Sequence, residues 1–282
     1  MIDVSVAPLD PRPPEDPAGA DPAGADPPGA DPASPGPAHQ ERGATPARTP
    51  PVIRLGLLWA FLLAVAIALS PVLGALFLAP VAAVAALSAW RRMEIPEVEP
   101  WWLAAACAGA APLAALGGPI PAVVAVVMGA AALVAHSARQ VPPATQLRVA
   151  LCVGAPAAAA SSLVVADRQS ATIGLVLLAA VSIFDASNYL MGVGETGGRL
   201  GALAAMMSLA VLAVLLAGAL VVPFSGASPW LLCGMVALSA PLSVAGGHRL
   251  VGAVRLPAWR RLDSLFIAGP LWVVITSTLL AP

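Results

Sequence analysis

The chain has 282 residues, of which 59% are hydrophobic and only 10% charged. A soluble domain carries about 25% charged residues, so a water-soluble globule is excluded. The formal net charge of −1 joins two unlike parts: residues 1–53 carry three Arg against eight acids, and residues 54–282 carry eleven Arg against seven acids.

Residues 1–53 read as a disordered tail. The unit Asp-Pro-Ala-Gly-Ala recurs from Asp16 and Asp21, with variants from Asp26 and Asp31. Proline at this density blocks helices and sheet ladders, and nothing in the segment can bury enough apolar surface to offset ordering entropy. It has no apolar core of the roughly 7–15 residues that a secretory signal needs. A partner-docking arm is the alternative, without a motif to support it.

Residues 54–282 read as a polytopic membrane domain, giving an all-α integral membrane protein of about nine transmembrane helices after the tail. The expected spans are 55–70, 72–90, 101–117, 119–137, 149–166, 171–187, 200–222, 229–246 and 264–281. A bilayer core of about 30 Å takes about 20 helical residues, so the shorter spans are expected to be kinked or partly re-entrant. Pro71, Pro119 and Pro121 fall at the breaks. Many spans are rich in Ala and Gly, which lets helices approach closely. Cys107, Cys152 and Cys233 lie far apart in apolar runs and read as plain buried thiols.

Arginine sets the orientation. With the N-terminus inside, ten arginines (54, 91, 92, 139, 148, 199, 249, 255, 260 and 261) fall on the inner side and only Arg168 outside. This positive-inside asymmetry predicts a cytoplasmic N-terminus and an outer C-terminus in the inner or plasma membrane. The chain has no Lys, and guanidinium suits phosphate and headgroup contact. No ionisable group is expected at mid-membrane, which disfavours an ion-coupled small-solute transporter.

Two inner segments concentrate polar chemistry. The first runs from Asp185 through Asn188 and Tyr189 to Gly192, Gly194, Glu195, Gly197, Gly198 and Arg199. A glycine loop entering a helix N-terminus exposes N–H groups to a phosphate. The GxGxxG lettering follows a membrane helix rather than a strand, so a dinucleotide site is not implied. A tight turn with Asp185 as a solvated helix-end acid is the plainer reading.

The second segment holds His248, Arg249, Arg255, Trp259, Arg260, Arg261, Asp263 and Ser264. Its four arginines suit anionic lipid, at about 1 kcal/mol each. Asp263 either holds Mg²⁺ or pairs with Arg260 or Arg261. His136 and His248 lack ligand spacing. Glu94, Glu97 and Glu99 read as a solvated loop. Trp90, Trp101 and Trp102 read as interfacial anchors, and Trp259 as a headgroup-level ring. No Ser–His–Asp or Cys–His set can be assembled, and nothing points to nucleic acid.

Together the two segments resemble the bacterial phosphatidate cytidylyltransferases, the CDP-diacylglycerol synthases. Asp185-Ala186-Ser187-Asn188-Tyr189 followed by Gly192 resembles that family's central Asp-x-x-x-Tyr segment. Arg261-Leu262-Asp263-Ser264-Leu265, with Ala268 and Pro270 beyond, resembles its closing signature. Arg260 stands where the signature has its first Asp.

The resemblance implies transfer of CMP from CTP to phosphatidic acid with release of pyrophosphate. It implies Asp185 and Asp263 as Mg²⁺ ligands and, with Arg261, as catalytic residues. Tyr189, Asn188, Gly192, Gly194, Gly197, Gly198, Arg199, His248, Arg249, Arg255, Arg260 and Ser264 would line the substrates. A non-catalytic relative that binds anionic phospholipid or a membrane partner is the alternative. A homodimer is one assembly open to either.

Overall fold

The computed structural model describes residues 51–92, 101–138, 141–192, 199–219, 221–251 and 258–280. Among them are nine α-helices and no strand. The helices are α1 Pro51–Leu69, α2 Pro71–Arg92, α3 Trp101–Ala114, α4 Pro119–Ser137, α5 Pro143–Gln169, α6 Ala171–Gly192, α7 Arg199–Gly218, α8 Ser228–Val251 and α9 Leu265–Leu279. The expected tail lies outside the described residues except for Pro51–Ile53, which belong to α1.

Six helices are long and apolar enough to cross a bilayer; apolar stretches in α1, α3 and α9 are shorter. Large side chains such as Phe61, Val123, Met128, Met207 and Leu238 are exposed. Soluble monomers rarely expose extensive apolar patches, so these surfaces mark a membrane-embedded protein.

Small residues bring the helices together. On α2, Ala75, Ala82, Ala85, Ala86 and Ala89 are buried, and on α3 so are Ala104, Ala108 and Ala111. Their three- and four-residue spacing makes one face of each helix, and alanine lets the two backbones close up. α5 stands in the middle. Residues 161–167 are buried without a break, so this helix is covered on every side.

Two hairpins share one device. Ser70 alone joins α1 to α2, and Ser170 alone joins α5 to α6. Ser70 N–H donates to Ala66 O at 3.0 Å, and Gly74 N–H to Ser70 O at 3.1 Å. The second turn repeats this pattern, with Ser170 to Ala166 at 3.2 Å and Gly174 to Ser170 at 3.1 Å. Each serine hydroxyl accepts the N–H two residues on, from Val72 or Thr172, at 3.2 Å.

The chain folds back so sharply at these turns that bulk is excluded. A Cβ on Gly174 would lie 2.9 Å from the Asp167 Cα, and one on Gly74 would lie 3.6 Å from Ile67 Cγ1. Glycine is required at Gly174 because backbone, not a movable side chain, fills the space.

Candidate functional site

The Asp185 segment belongs to the last turns of α6, which runs on to Gly192 rather than breaking after residue 187. A spacing of four places Asp185 and Tyr189 on one helix face, with Asn188 beside them. All three are partly buried. The second segment follows α8. Trp259–Arg261 forms a 3-10 turn, and Leu262–Ser264 leads into α9.

The fold brings these distant segments into contact. Ser264 Oγ donates to Asp185 Oδ2 at 3.1 Å, and the Arg260 guanidinium lies 5.5 Å above the Tyr189 ring. Ser264 is fully buried, while Arg260 is exposed. The Arg260–Tyr189 stack contributes about 0.5–1 kcal/mol at such a site.

The start of α9 satisfies its own orphan N–H groups. Ser264 N–H donates to Asp263 Oδ1 at 2.8 Å, Phe266 N–H to Asp263 O at 3.3 Å, and Ile267 N–H to Ser243 Oγ at 3.0 Å. A carboxylate there is also favoured by the helix dipole.

Asp263 is 5% exposed. Burial is the dominant influence and pushes its carboxyl from 3.8 up to about 7; the Ser264 N–H and the Arg260 charge pull it back only in part. Loss of hydration, not a neighbouring charge, is therefore what disfavours the charged form of this carboxyl.

Two tryptophans differ from expectation. Trp259 is not a headgroup-level ring: it is buried and packs edge-on against Phe266 at 4.8 Å and 74°. Gly247 makes this seat, since a Cβ there would come within 3.0 Å of Trp259 Nε1 and 3.7 Å of Asp263 Cβ. Trp90 is also buried, within the α2 face that packs inward. Trp101 and Trp102 are exposed as expected, and Arg91 lies 5.9 Å over the Trp101 ring.

Mg²⁺ is commonly held by one or two carboxylates together with substrate phosphates. Asp185 and Asp263, joined through Ser264, are a fitting protein donor set for one such ion. A cation beside Asp263 would favour the charged form that burial disfavours. Among the described residues no group of three or more His, Cys, Asp or Glu is placed to hold a metal ion.

His248 and Arg249 are exposed in the last turn of α8. Gly194, Gly197, Gly198 and Arg255 lie outside the described residues, as do Glu94, Glu97, Glu99 and Glu195. Arg199 and Gly192 are placed only as helix ends, and Arg261 only as part of the 3-10 turn.

An acid inside the bundle escaped the sequence reading. Asp167 was expected in an outer connection, but it lies in the last turn of α5 and is 4% exposed. Neither of its carboxylate oxygens has a hydrogen-bond partner. A Cβ on Gly74 would sit 3.6 Å from its Oδ2. The available signal was the recurrence of Ser-x-x-x-Gly at Ser70 and Ser170. Register with the first hairpin puts Asp167 where apolar Ile67 stands.

Beside the polar cluster is an apolar slot of about 550 Å³ between α4 and α5 on one side and α8 and α9 on the other. Val126, Ala150, Gly154, Gly246, Gly247 and Phe266 are among its walls. Gly247 and Phe266 also contact the Trp259 seat, so the slot adjoins the acid cluster. The three cysteines are free thiols. No family model, no curated protein and no solved structure matches the chain.

Proposed function

We propose that the chain is a membrane cytidylyltransferase of phospholipid synthesis, joining CMP from CTP to phosphatidic acid. The observation that carries this reading is the 3.1 Å hydrogen bond from Ser264 to Asp185. It unites the two segments that resemble the family's signatures and places two carboxyl groups beside an exposed guanidinium. The adjoining apolar slot gives a lipid substrate somewhere to keep its chain while its phosphate stays in the polar cluster.

In this reading all nine helices cross the bilayer of the inner or plasma membrane. The N-terminus is cytoplasmic, the C-terminus outside, and the acid cluster faces the cytoplasm where CTP is found. Asp185 and Asp263 hold Mg²⁺, which supplies charge neutralisation on the triphosphate. Ser264 fixes the orientation of Asp185. Arg260, steadied on Tyr189, attracts phosphate oxygens, and Arg261 and Arg249 add positive charge around them. The lipid phosphate oxygen bonds to the α-phosphorus of CTP, and the bond to pyrophosphate breaks.

The test is purified protein in lipid nanodiscs with CTP, Mg²⁺ and phosphatidic acid. Release of pyrophosphate with formation of CDP-diacylglycerol is expected. No release rejects the enzyme reading for this substrate. A second reading is a non-catalytic relative that binds anionic lipid. It is favoured by Arg260, which adds a cation where the family signature has an acid.

A further inference from the structure

The slot between α4, α5, α8 and α9 has its own chemistry, apart from the two acids. Along α5 its wall runs from Ala150 to Ala158, and along α8 from Leu242 to Leu250. Both stretches span about two helical turns, about 12 Å at 1.5 Å per residue. The walls are Ala, Gly, Val, Leu, Ile and Phe, with Ser243 as the polar exception. Ser243 Oγ is already occupied, accepting from Ile267 N–H and donating to Ser239 O. Two glycines open the space: a Cβ on Gly154 or on Gly246 would meet nothing within 4 Å.

The ends of the slot are unlike. Asp185 lies near the end of α6 farthest from the Ser170 turn, and Ser264 contacts it there. Gly247, near the end of α8, contacts the same segment. The end of α8 and the start of α5 therefore share one end of the bundle. There Arg148 precedes the first slot residue of α5, and Arg249 precedes the last slot residue of α8. Both arginines are exposed. The opposite end of the slot, at Ala158 and Leu242, has no charged lining residue.

We propose that this slot binds one acyl chain of an anionic phospholipid, with the lipid phosphate held by Arg148 and Arg249. An apolar slot with two exposed arginines in the helix turns at one end offers an apolar wall and positive charge of the kind such a lipid needs. Its volume lies in the ~300–1,000 Å³ range of ligand sites. The proposal deepens the lipid side of the proposed function and rests on that reading only for the reaction that would follow. Lipid occupancy of the slot needs neither nucleotide nor metal.

The experiment places the full chain in phosphatidylcholine nanodiscs containing a small fraction of phosphatidylglycerol with a diazirine at its chain end. After irradiation, adducts are mapped by peptide mass spectrometry, without CTP or Mg²⁺. Adducts are expected on 150–158 of α5 and 242–250 of α8, well above those on exposed Leu203, Met207 and Val211 of α7. Unlabelled phosphatidylglycerol should displace them, and phosphatidylcholine should not.

Gly154→Leu and Gly246→Leu fill the slot and should each remove the slot adducts, with α7 labelling unchanged as the control for folding. Arg148→Gln should weaken the preference for the anionic lipid roughly fivefold, and Arg148→Gln with Arg249→Gln roughly 25-fold. Even labelling over all lipid-facing helices would overturn the proposal. So would slot adducts that survive both leucine variants, or cross-links between two copies of the chain in place of lipid adducts. Mapped slot adducts without pyrophosphate release would reject the enzyme reading alone. Pyrophosphate release with even labelling would reject the slot alone.

Discussion

Replacing Asp263 with Asn should make the protein more stable and inactive at the same time. The carboxyl is 5% exposed, and burial moves it from 3.8 up to about 7. Between these values the folded protein keeps a proton that the unfolded chain releases. Wild-type stability therefore falls as pH rises from about 4 to about 7 and levels off above. The span corresponds to about 4 kcal/mol at about 1.4 kcal/mol per pH unit. Asn carries no charge and keeps an Oδ1 to accept the Ser264 N–H now held at 2.8 Å.

Thermal unfolding in nanodiscs from pH 5 to pH 8 measures the effect. The variant's advantage should grow across this range, reaching a few kcal/mol at pH 8. Pyrophosphate release should be lost, since the neutral amide no longer offers an anionic ligand. A gap that is the same at pH 5 and pH 8, or a variant less stable at pH 8, would refute the reasoning.

Ser264→Ala removes the hydroxyl that binds Asp185 Oδ2. It should cost about 1.5–3 kcal/mol, as for hydrogen bonds to charged groups, and lower pyrophosphate release more than Ser264→Thr, as read by unfolding and turnover. Mg²⁺ added to the wild type at pH 8 should raise the unfolding midpoint by mass action on the folded state; Asp263→Asn should lose most of that rise. Gly174→Ala would press a methyl to 2.9 Å from the Asp167 Cα, and should cut the yield of folded protein in size-exclusion profiles, whereas Gly154→Ala should leave it unchanged. A C-terminal phosphatase fusion, active only outside the cytoplasm, should be active; activity of a cytoplasm-only reporter there would reverse the orientation.

Helices were legible where apolar length and breakers agree. The span expected at 119–137 is α4, residue for residue, because Gly118 at φ 111° and Pro119 mark its start in both sequence and backbone. Boundaries failed where polar residues continue a helix. α5 begins at Pro143 rather than 149 and carries Gln146 and Arg148 on its first turns. α6 likewise runs past its expected end at 187 and takes in Asn188 and Tyr189.

The candidate site was legible in part. Arginine asymmetry assigns the Asp185 and Asp263 segments to one side, but the serine that joins them belongs to a contact across 79 positions of chain. No local pattern encodes such a distance. The burial of Asp167 and Trp259 was hidden for the same reason. Each is enclosed by glycines from other helices, Gly74 for one and Gly247 for the other. A sequence window sees the residue and not the hollow made for it.

The single-serine connections have a mechanical consequence. A joint one residue long has no slack, so the paired helices cannot slide along each other. Tilting about the joint is the freedom that remains, and a tilt moves the far ends most. Both serine joints act as pegs with their jaws at the opposite end. For the second hairpin, that jaw carries Asp185. Any breathing of this hairpin would thus open and close the bond to Ser264, leaving the pegged end at rest.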